Sequence, residues 1–153
     1  MNAITDNRGV WSGTGRIMEN SNGGVPELSL STTPGWGRWV GSVKTTLENL
    51  LELGHNWDGR GSGRISPDTA LFAFQLMTQT MPPTGLAPAI VPLGNGALQL
   101  EWHTSAADLE IEVSKPNSVS VWYANHELDS EEEFETTTDF RHLGGLIKFV
   151  ALG

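Results

Sequence analysis

The chain contains no cysteine among its 153 residues. Disulfide bonds, thiolate metal sites and a cysteine nucleophile are therefore excluded. The sequence also lacks a Gly-x-Ser-x-Gly elbow, a His-Glu-x-x-His spacing and a phosphate-binding loop that ends in Gly-Lys-Ser/Thr. Because none of these signatures is present, the sequence predicts no catalytic residue, no metal site and no cofactor, and it favours a protein that is not an enzyme.

Long hydrophobic runs are missing as well. No apolar stretch approaches the roughly 18 residues that a membrane span requires. Residues 1–6 have neither the basic region nor the apolar core of a signal peptide. These features predict a soluble protein without membrane association, located in the cytoplasm of a bacterium or of a phage-infected host.

Basic residues are scarce, with 9 Lys and Arg against 18 Asp and Glu and a net charge of −9. The imbalance is concentrated in residues 98–139, where eleven acidic residues face Lys115 alone. A field of this sign repels a phosphate backbone, so direct nucleic acid binding is not expected. It suits a protein partner with a basic surface, or alternatively it serves only solubility.

Residues 1–41 are rich in Gly, Asn, Ser and Thr, yet they contain Trp11, Trp36 and Trp39. A disordered linker seldom holds so many large aromatic residues. We therefore interpret 1–41 as an extended arm whose tryptophans dock on the domain itself or on a partner. Residues 25–31 alternate weakly and are compatible with an edge strand that tolerates a proline. The remaining residues, 42–153, are predicted to form one domain.

Three helices are predicted from periodicity and capping signals. The first begins with Ser42 as its cap and ends near Leu53, before Gly54. The second begins at Ser66-Pro67-Asp68, which combines a good N-cap, a favoured proline and a favourable charge, and it ends at Pro82-Pro83. A last helix follows a cap at Thr138 or Asp139 and carries apolar residues from Phe140 to Val150.

Alternating apolar and polar residues between the second and third helices predict strands. They fall at residues 89–93, 97–103, 109–114 and 118–124. Residues 129–135 form an acidic run that is assigned no strand. The predicted fold class is α+β, with two N-terminal helices, an antiparallel meander of about four strands and a C-terminal helix, preceded by the arm.

Two motifs resemble a pattern that recurs in small bacterial and phage proteins. The first is the Trp-Asp-Gly-x-Gly loop at residues 57–61, which follows a leucine-rich helix and precedes a helix capped by Ser66-Pro67. The second is a Leu-Glu-Trp strand at 100–102 beside a Leu-Glu-Ile-Glu-Val strand at 109–113. The resemblance covers about residues 43–124 and implies one domain type. It implies no activity, because none is known for the group.

The glycine-rich loop, residues 54–66, is one candidate site. In a structural interpretation, its tryptophan fills a gap and its aspartate accepts hydrogen bonds from loop amides. In a functional interpretation, amides ahead of a helix N-terminus bind an anion, assisted by two arginines. The residues concerned are His55, Trp57, Asp58, Arg60 and Arg64.

The outer face of the predicted sheet is the second candidate. Alternation places Glu101, His103, Glu110, Glu112 and Trp122 on it. A turn that pairs His103 with Glu110 would also pair Glu101 with Glu112. Such a face is commonly only solvated, and three carboxylates with an imidazole are also compatible with ligation of a divalent metal or with acid–base chemistry. A tryptophan among carboxylates instead favours a protein partner.

The sequence as a whole favours a non-enzymatic acidic module that binds a basic protein surface, such as an inhibitor, antitoxin or immunity-type protein. One alternative is a ligand-binding or hydrolytic domain that uses the glycine-rich loop. The other is a structural subunit of a phage or multi-protein assembly that is threaded by the arm. The oligomeric state does not follow from the sequence.

Overall fold

A computed structural model describes residues 15–18, 27–30 and 37–153 of the chain. The elements in chain order are β1 (Gly15–Met18), β2 (Glu27–Leu30), α1 (Trp39–Leu51), α2 (Pro67–Thr80), β3 (Ala89–Pro92), β4 (Leu98–His103), β5 (Ala107–Lys115), β6 (Ser118–Asn125), β7 (Ser130–Thr136) and α3 (Arg141–Leu152). Strands β3 to β7 form one antiparallel sheet in sequence order, and β1 pairs with β2 in a separate small sheet. The α+β class, the antiparallel sheet and the C-terminal helix are confirmed.

The main sheet has five strands, so the expected meander of about four strands is one short. The additional strand, β7, coincides with the acidic run at 129–135. Glutamates outnumber every other residue type in it, and this conceals the alternation that marks a strand. Charged side chains are nevertheless common on edge strands, where they oppose unwanted pairing. β2 lies within residues 25–31, where the sequence pattern is compatible with a strand.

Helix α1 begins at Trp39, three residues before the predicted start at Ser42. Trp39 is only 2% exposed, and its ring lies 6.2 Å from that of Phe74 between centroids. Burial of this indole makes Trp39 part of the core, although the sequence assigned it to the arm. The division into an arm over residues 1–41 and a domain over 42–153 stays a prediction. Trp11 and Trp36 lie outside the described residues.

Helix α2 starts as the sequence predicts. The Ser66 hydroxyl accepts a hydrogen bond from the Asp68 amide at 3.2 Å, and Pro67 occupies the first turn. A continuous run from Thr69 to Met77 is buried. This burial on every side follows from the position of α2, which contacts α1, α3 and the sheet.

Helix α3 closes the fold against the sheet. It begins at Arg141 with Phe140 at the N-cap position, one residue after Asp139, the later of the two predicted caps. The Asp139 carboxylate still accepts a hydrogen bond from the amide of Arg141, the first helical residue, at 3.1 Å. Despite Gly144 and Gly145, the helix persists because Leu143, Ile147 and Val150 are buried.

All three helices contribute to the core on one side of the sheet. The inward residues of β4, β5 and β6 are almost fully buried there, among them Leu100, Ile111 and Val121. Within the described residues, no helix is long and apolar enough to cross a membrane.

Candidate functional site

The sheet has a second face, on which none of the three described helices packs. Alternation along β4 to β7 and the pairing register define its residues. We call this surface the acidic face, and it comprises Gln99, Glu101, His103, Asp108, Glu110, Glu112, Ser120, Trp122, Ala124, Glu131, Glu133 and Glu135. All five residues that the sequence assigned to the outer face lie on it, so the structure brings them together.

Trp122 lies at the centre of the acidic face. It is directly opposite Glu110 on β5 and directly opposite Glu133 on β7. Its side chain is partly buried, while both neighbours are carboxylates. The arrangement therefore places one large aromatic surface between two negative charges that belong to different strands.

The register between β4 and β5 differs from the expectation. Glu101 faces Glu110, and His103 faces Asp108. The predicted pairs, His103 with Glu110 and Glu101 with Glu112, are wrong by two residues. The turn is tighter than assumed, because the Thr104 amide donates to the Ala107 carbonyl at 3.0 Å and leaves only two residues between them.

Two like charges thus lie opposite each other, which is unfavourable in a sheet. The side-chain amide of Gln99 offsets this repulsion. Its Nε2 donates to Glu101 Oε1 at 2.8 Å and to Glu110 Oε2 at 3.1 Å. One neutral amide therefore bridges both carboxylates, and Glu110, the nearer of them, lies beside Trp122.

A cluster of His103, Asp108 and His126 forms one end of the acidic face. Asp108 Oδ1 lies 2.9 Å from His103 Nδ1, and Asp108 Oδ2 lies 2.9 Å from His126 Nε2. His126 also approaches the Ser105 carbonyl at 3.1 Å through Nδ1. The cluster therefore ties the turn after β4 to the turn after β6.

Charge in this cluster is mutually stabilised. Hydrogen bonding to Asp108 raises the pKa of both His103 and His126 above the ordinary 6.5, and hydrogen bonding to His103 and His126 lowers the pKa of Asp108 below 3.8. The histidine contribution to stability is complete below pH 6.5 and is lost as the pH rises through the raised pKa values. The Asp108 contribution is complete above pH 3.8 and is lost as the pH falls through the lowered pKa.

Within the described part of the chain, no group of three or more His, Asp and Glu side chains is arranged to hold a metal ion. The acidic face presents carboxylates, Trp122 and His103, and His126 adjoins it at the turn after β6. Hydrogen bonding to Asp108 favours the protonated form of both histidines.

The glycine-rich loop has its own hydrogen-bond network. Asp58 Oδ1 accepts from the Arg60 amide at 2.8 Å and from the Ser62 amide at 3.4 Å, and Asn56 Oδ1 accepts from the Gly61 amide at 2.6 Å. Hydrogen bonding from Ser62 and from the Arg60 amide lowers the pKa of Asp58. The amides that would hold an anion are thus occupied by the side chains of the loop itself.

The loop also packs on the turn between β3 and β4. The Gly63 amide donates to the Gly94 carbonyl at 2.9 Å, and Trp57 Nε1 donates to the Gly63 carbonyl at 3.3 Å. Ser62 is buried at this junction. His55, Arg60 and Arg64 are exposed. This geometry favours the interpretation of the loop as a brace between the helices and the sheet.

Replacing Gly96 with alanine tests the brace. Gly96 has a φ of +87°, and an added Cβ would lie 2.9 Å from the Arg64 carbonyl oxygen. Gly61 has nearly the same φ, +86°, but its added Cβ would meet no atom within 4 Å. The positive φ makes either substitution lower the free energy of unfolding by about 1 kcal/mol through backbone strain. Gly96→Ala is expected to lower it by about 1–2 kcal/mol more, because its Cβ forces the loop and the turn apart. Urea denaturation of the two variants measures the difference, and equal costs would show that loop and turn are not in close contact.

The sequence missed four carboxylates of the acidic face, namely Asp108, Glu131, Glu133 and Glu135. Glu131, Glu133 and Glu135 occupy every second position on either side of Phe134. This alternating spacing is the pattern in the sequence that indicates β7. Asp108 was placed in a turn because the exact register of β4 and β5 does not follow from alternation alone. His126, which follows the predicted strand at 118–124, joins the cluster through its contact with Asp108.

A recess of about 420 Å³ lies beside the acidic face, between β7 and the start of α3. Its walls include Phe134, Thr136 and His142, and the Phe134 and His142 rings are 4.9 Å apart between centroids. His142 Nε2 lies 3.0 Å from Glu132 Oε2. The Arg141 guanidinium is bound to Asp139, which lowers the pKa of that carboxyl. The recess therefore combines the Phe134 ring with the Asp139–Arg141 ion pair and the Glu135 carboxylate.

Comparison with protein-family models, with curated proteins and with solved structures gave no match to this chain. The resemblance to small bacterial and phage proteins stays a prediction that depends on the motifs at residues 57–61, 100–102 and 109–113.

Proposed function

We propose that this protein acts by binding another protein through the acidic face, without catalysis. Trp122 is the apolar anchor, and the surrounding carboxylates select a partner with a basic surface. The observation that carries the proposal is the position of Trp122 between Glu110 and Glu133, on a face that no described helix covers. An inhibitor, antitoxin or immunity-type protein works by occluding a partner in this way.

The solvent-facing side of an antiparallel sheet is usually polar, and most of the acidic face follows this rule. Trp122 departs from it. Tryptophan is enriched at the centres of protein interfaces, where it fills a pocket and is enclosed by weaker contacts. In this chain the enclosing residues are charged and of one sign, and such a rim accelerates and orients the approach of an oppositely charged protein.

The distribution of charge also argues against nucleic acid as the ligand. The acidic face carries Glu101, Asp108, Glu110 and Glu112 on two adjacent strands and three further glutamates on β7. A phosphate backbone would meet the same sign of charge over the whole surface. A lysine- or arginine-rich protein surface would meet the opposite sign, and binding would weaken as salt screens the attraction.

The two alternatives find less support. An anion site in the glycine-rich loop requires free amides, and those of Arg60, Gly61 and Ser62 are engaged within the loop. An assembly role for the arm depends on residues 1–41, most of which lie outside the described residues, and it stays a prediction.

A charge-reversal experiment tests the proposal. The tagged chain is used to capture proteins from its native host, and these are identified by mass spectrometry. Glu110→Lys combined with Glu133→Lys is expected to abolish capture of the partner, because it places two positive charges beside Trp122. The control combines Glu48→Lys on α1 with Glu52→Lys at the C-cap of that helix, which changes the net charge by the same amount on another surface.

The control variant is expected to retain the partner. If both double variants lose it equally, net charge rather than the acidic face determines binding. If both retain it, the acidic face is not the interface and the proposal is wrong.

A further inference from the structure

We infer that the partner contributes an extended, basic strand that pairs with the free edge of β7 and thereby continues the sheet. This inference depends on the proposed function and adds the mode of binding and the kind of segment bound. It is built on the backbone of β7, the charges beside it and the recess at its end.

The direction of the β7 backbone follows from hydrogen bonds elsewhere in the sheet. The His126 amide donates to the Ala106 carbonyl, so the backbone at His126 faces β5. Every second residue along a strand faces the same way. The backbone at Trp122, four residues earlier, therefore also faces β5 and turns away from β7.

Trp122 lies opposite Glu133 in the register of β6 and β7. Because Trp122 directs its N–H and C=O toward β5, this is a pair without mutual hydrogen bonds, and the backbone of Glu133 faces away from β6. The same holds for Glu131 and Glu135, since the register of this strand pair is continuous. The backbone N–H and C=O groups of Glu131, Glu133 and Glu135 thus point outward along the edge of β7. No described strand pairs with this edge.

The charges beside this edge determine which strand it can accept. A strand that continues the sheet would direct alternate side chains onto the acidic face, next to Glu131, Glu133 and Glu135. Like charges opposite each other are unfavourable and opposite charges favourable. Lysine or arginine is therefore required at those alternate positions.

A second copy of this chain is the obvious competing occupant, because edge strands often pair with themselves. An antiparallel β7–β7 pair would bring the glutamates of one copy against those of the other. The same glutamates that deter this self-association favour a basic strand. Charge complementarity therefore identifies the occupant as a different protein.

The other side chains of the added strand would lie on the side of α3, in line with Glu132, Phe134 and Thr136. The recess lined by Phe134 and His142 opens along this row. In strand addition, main-chain hydrogen bonds provide affinity and pockets for alternate side chains provide specificity. We therefore expect an apolar residue between the basic ones, so that the bound segment alternates basic and apolar residues.

A matched pair of variants at Glu133 isolates the main-chain contribution. Glu133→Pro removes the side-chain charge and also the outward N–H, whereas Glu133→Ala removes only the charge. Proline is tolerated on an edge strand where its missing N–H faced solvent, and thermal unfolding of both variants verifies that the fold is retained. The probe is a heptapeptide in which lysine and valine alternate, compared with a heptapeptide of the same composition in which the lysines and valines are grouped.

The alternating peptide is expected to bind the full chain. Glu133→Pro is expected to lower the affinity for this peptide roughly tenfold more than Glu133→Ala does, because one main-chain hydrogen bond is lost and the proline ring obstructs the edge. Hydrogen exchange supplies a second readout. The amides of Glu131, Glu133 and Glu135 are expected to become protected when the peptide binds.

Equal affinities of the two Glu133 variants, together with unchanged exchange at the three amides, would overturn strand addition. So would tighter binding of the grouped peptide, absence of peptide binding, or dimerisation of the chain through this edge. Each of these results leaves the proposed function intact as long as the captured partner still depends on Glu110 and Glu133. If that dependence is also absent, the proposed function itself fails.

Discussion

Replacing Trp122 with alanine is expected to weaken binding of the captured partner by roughly 30-fold to several hundred-fold, the range of a central interface tryptophan. Trp122 presents the largest apolar surface on the acidic face, and its flanking glutamates contribute orientation more than affinity. Titration calorimetry of the purified pair measures the change. Most of the loss is expected in the dissociation rate, because the charges that guide association are retained.

The control for this substitution is Phe149→Ala. Phe149 is an aromatic residue on α3 that is 47% exposed and lies away from the acidic face. It is expected to leave the affinity within about twofold, as typical of residues outside an interface. Trp122→Ala should cost at most about 1 kcal/mol of folding stability through lost cross-strand contacts. An unchanged affinity in the folded Trp122 variant would remove the basis for the proposed interface.

Replacing Trp39 with alanine is expected to reduce the free energy of unfolding by about 3–5 kcal/mol, as for other fully buried aromatic residues. The indole is 2% exposed and packs at 50° to the Phe74 ring. Small domains are stable by only about 5–15 kcal/mol in total, so this single change would remove a large part of the stability. Urea denaturation monitored by far-UV circular dichroism provides the measurement.

The milder substitution Trp39→Phe serves as the reference for Trp39. Trp39 Nε1 has no hydrogen-bond partner among the described residues, so phenylalanine reduces the packing volume without removing a hydrogen bond to any of them. It is expected to cost less than half as much as alanine. A cost below about 1 kcal/mol for Trp39→Ala, the range of surface positions, would return this residue to the arm and contradict its place in the core.

Those parts of the fold that depend on local signals were predictable. The start of α2 at Ser66 and Pro67 follows from capping chemistry that involves adjacent residues only. The five outer-face residues, including Glu110 and Trp122, follow from alternation within single strands. Neither inference requires knowledge of which strand lies next to which.

The errors concern features that depend on distant parts of the chain. Trp39 follows a stretch rich in Gly, Ser and Thr, and its burial depends on Phe74, which lies 35 residues further on. The pairing of His103 with Asp108 depends on a turn of two residues, which alternation does not specify. Strand β7 is stabilised by pairing with β6, and its glutamates suggested a solvated run instead.

The consecutive order of β3 to β7 has a consequence for how the chain folds. Each strand pairs with its neighbour in sequence, so the sheet can assemble from short hairpins, and contacts of this local kind favour rapid folding. Helix α2 differs, because its buried residues need the sheet that is synthesised after it. During translation this apolar helix emerges before its covering surface exists, and we expect it to be the segment that chaperones engage on the nascent chain.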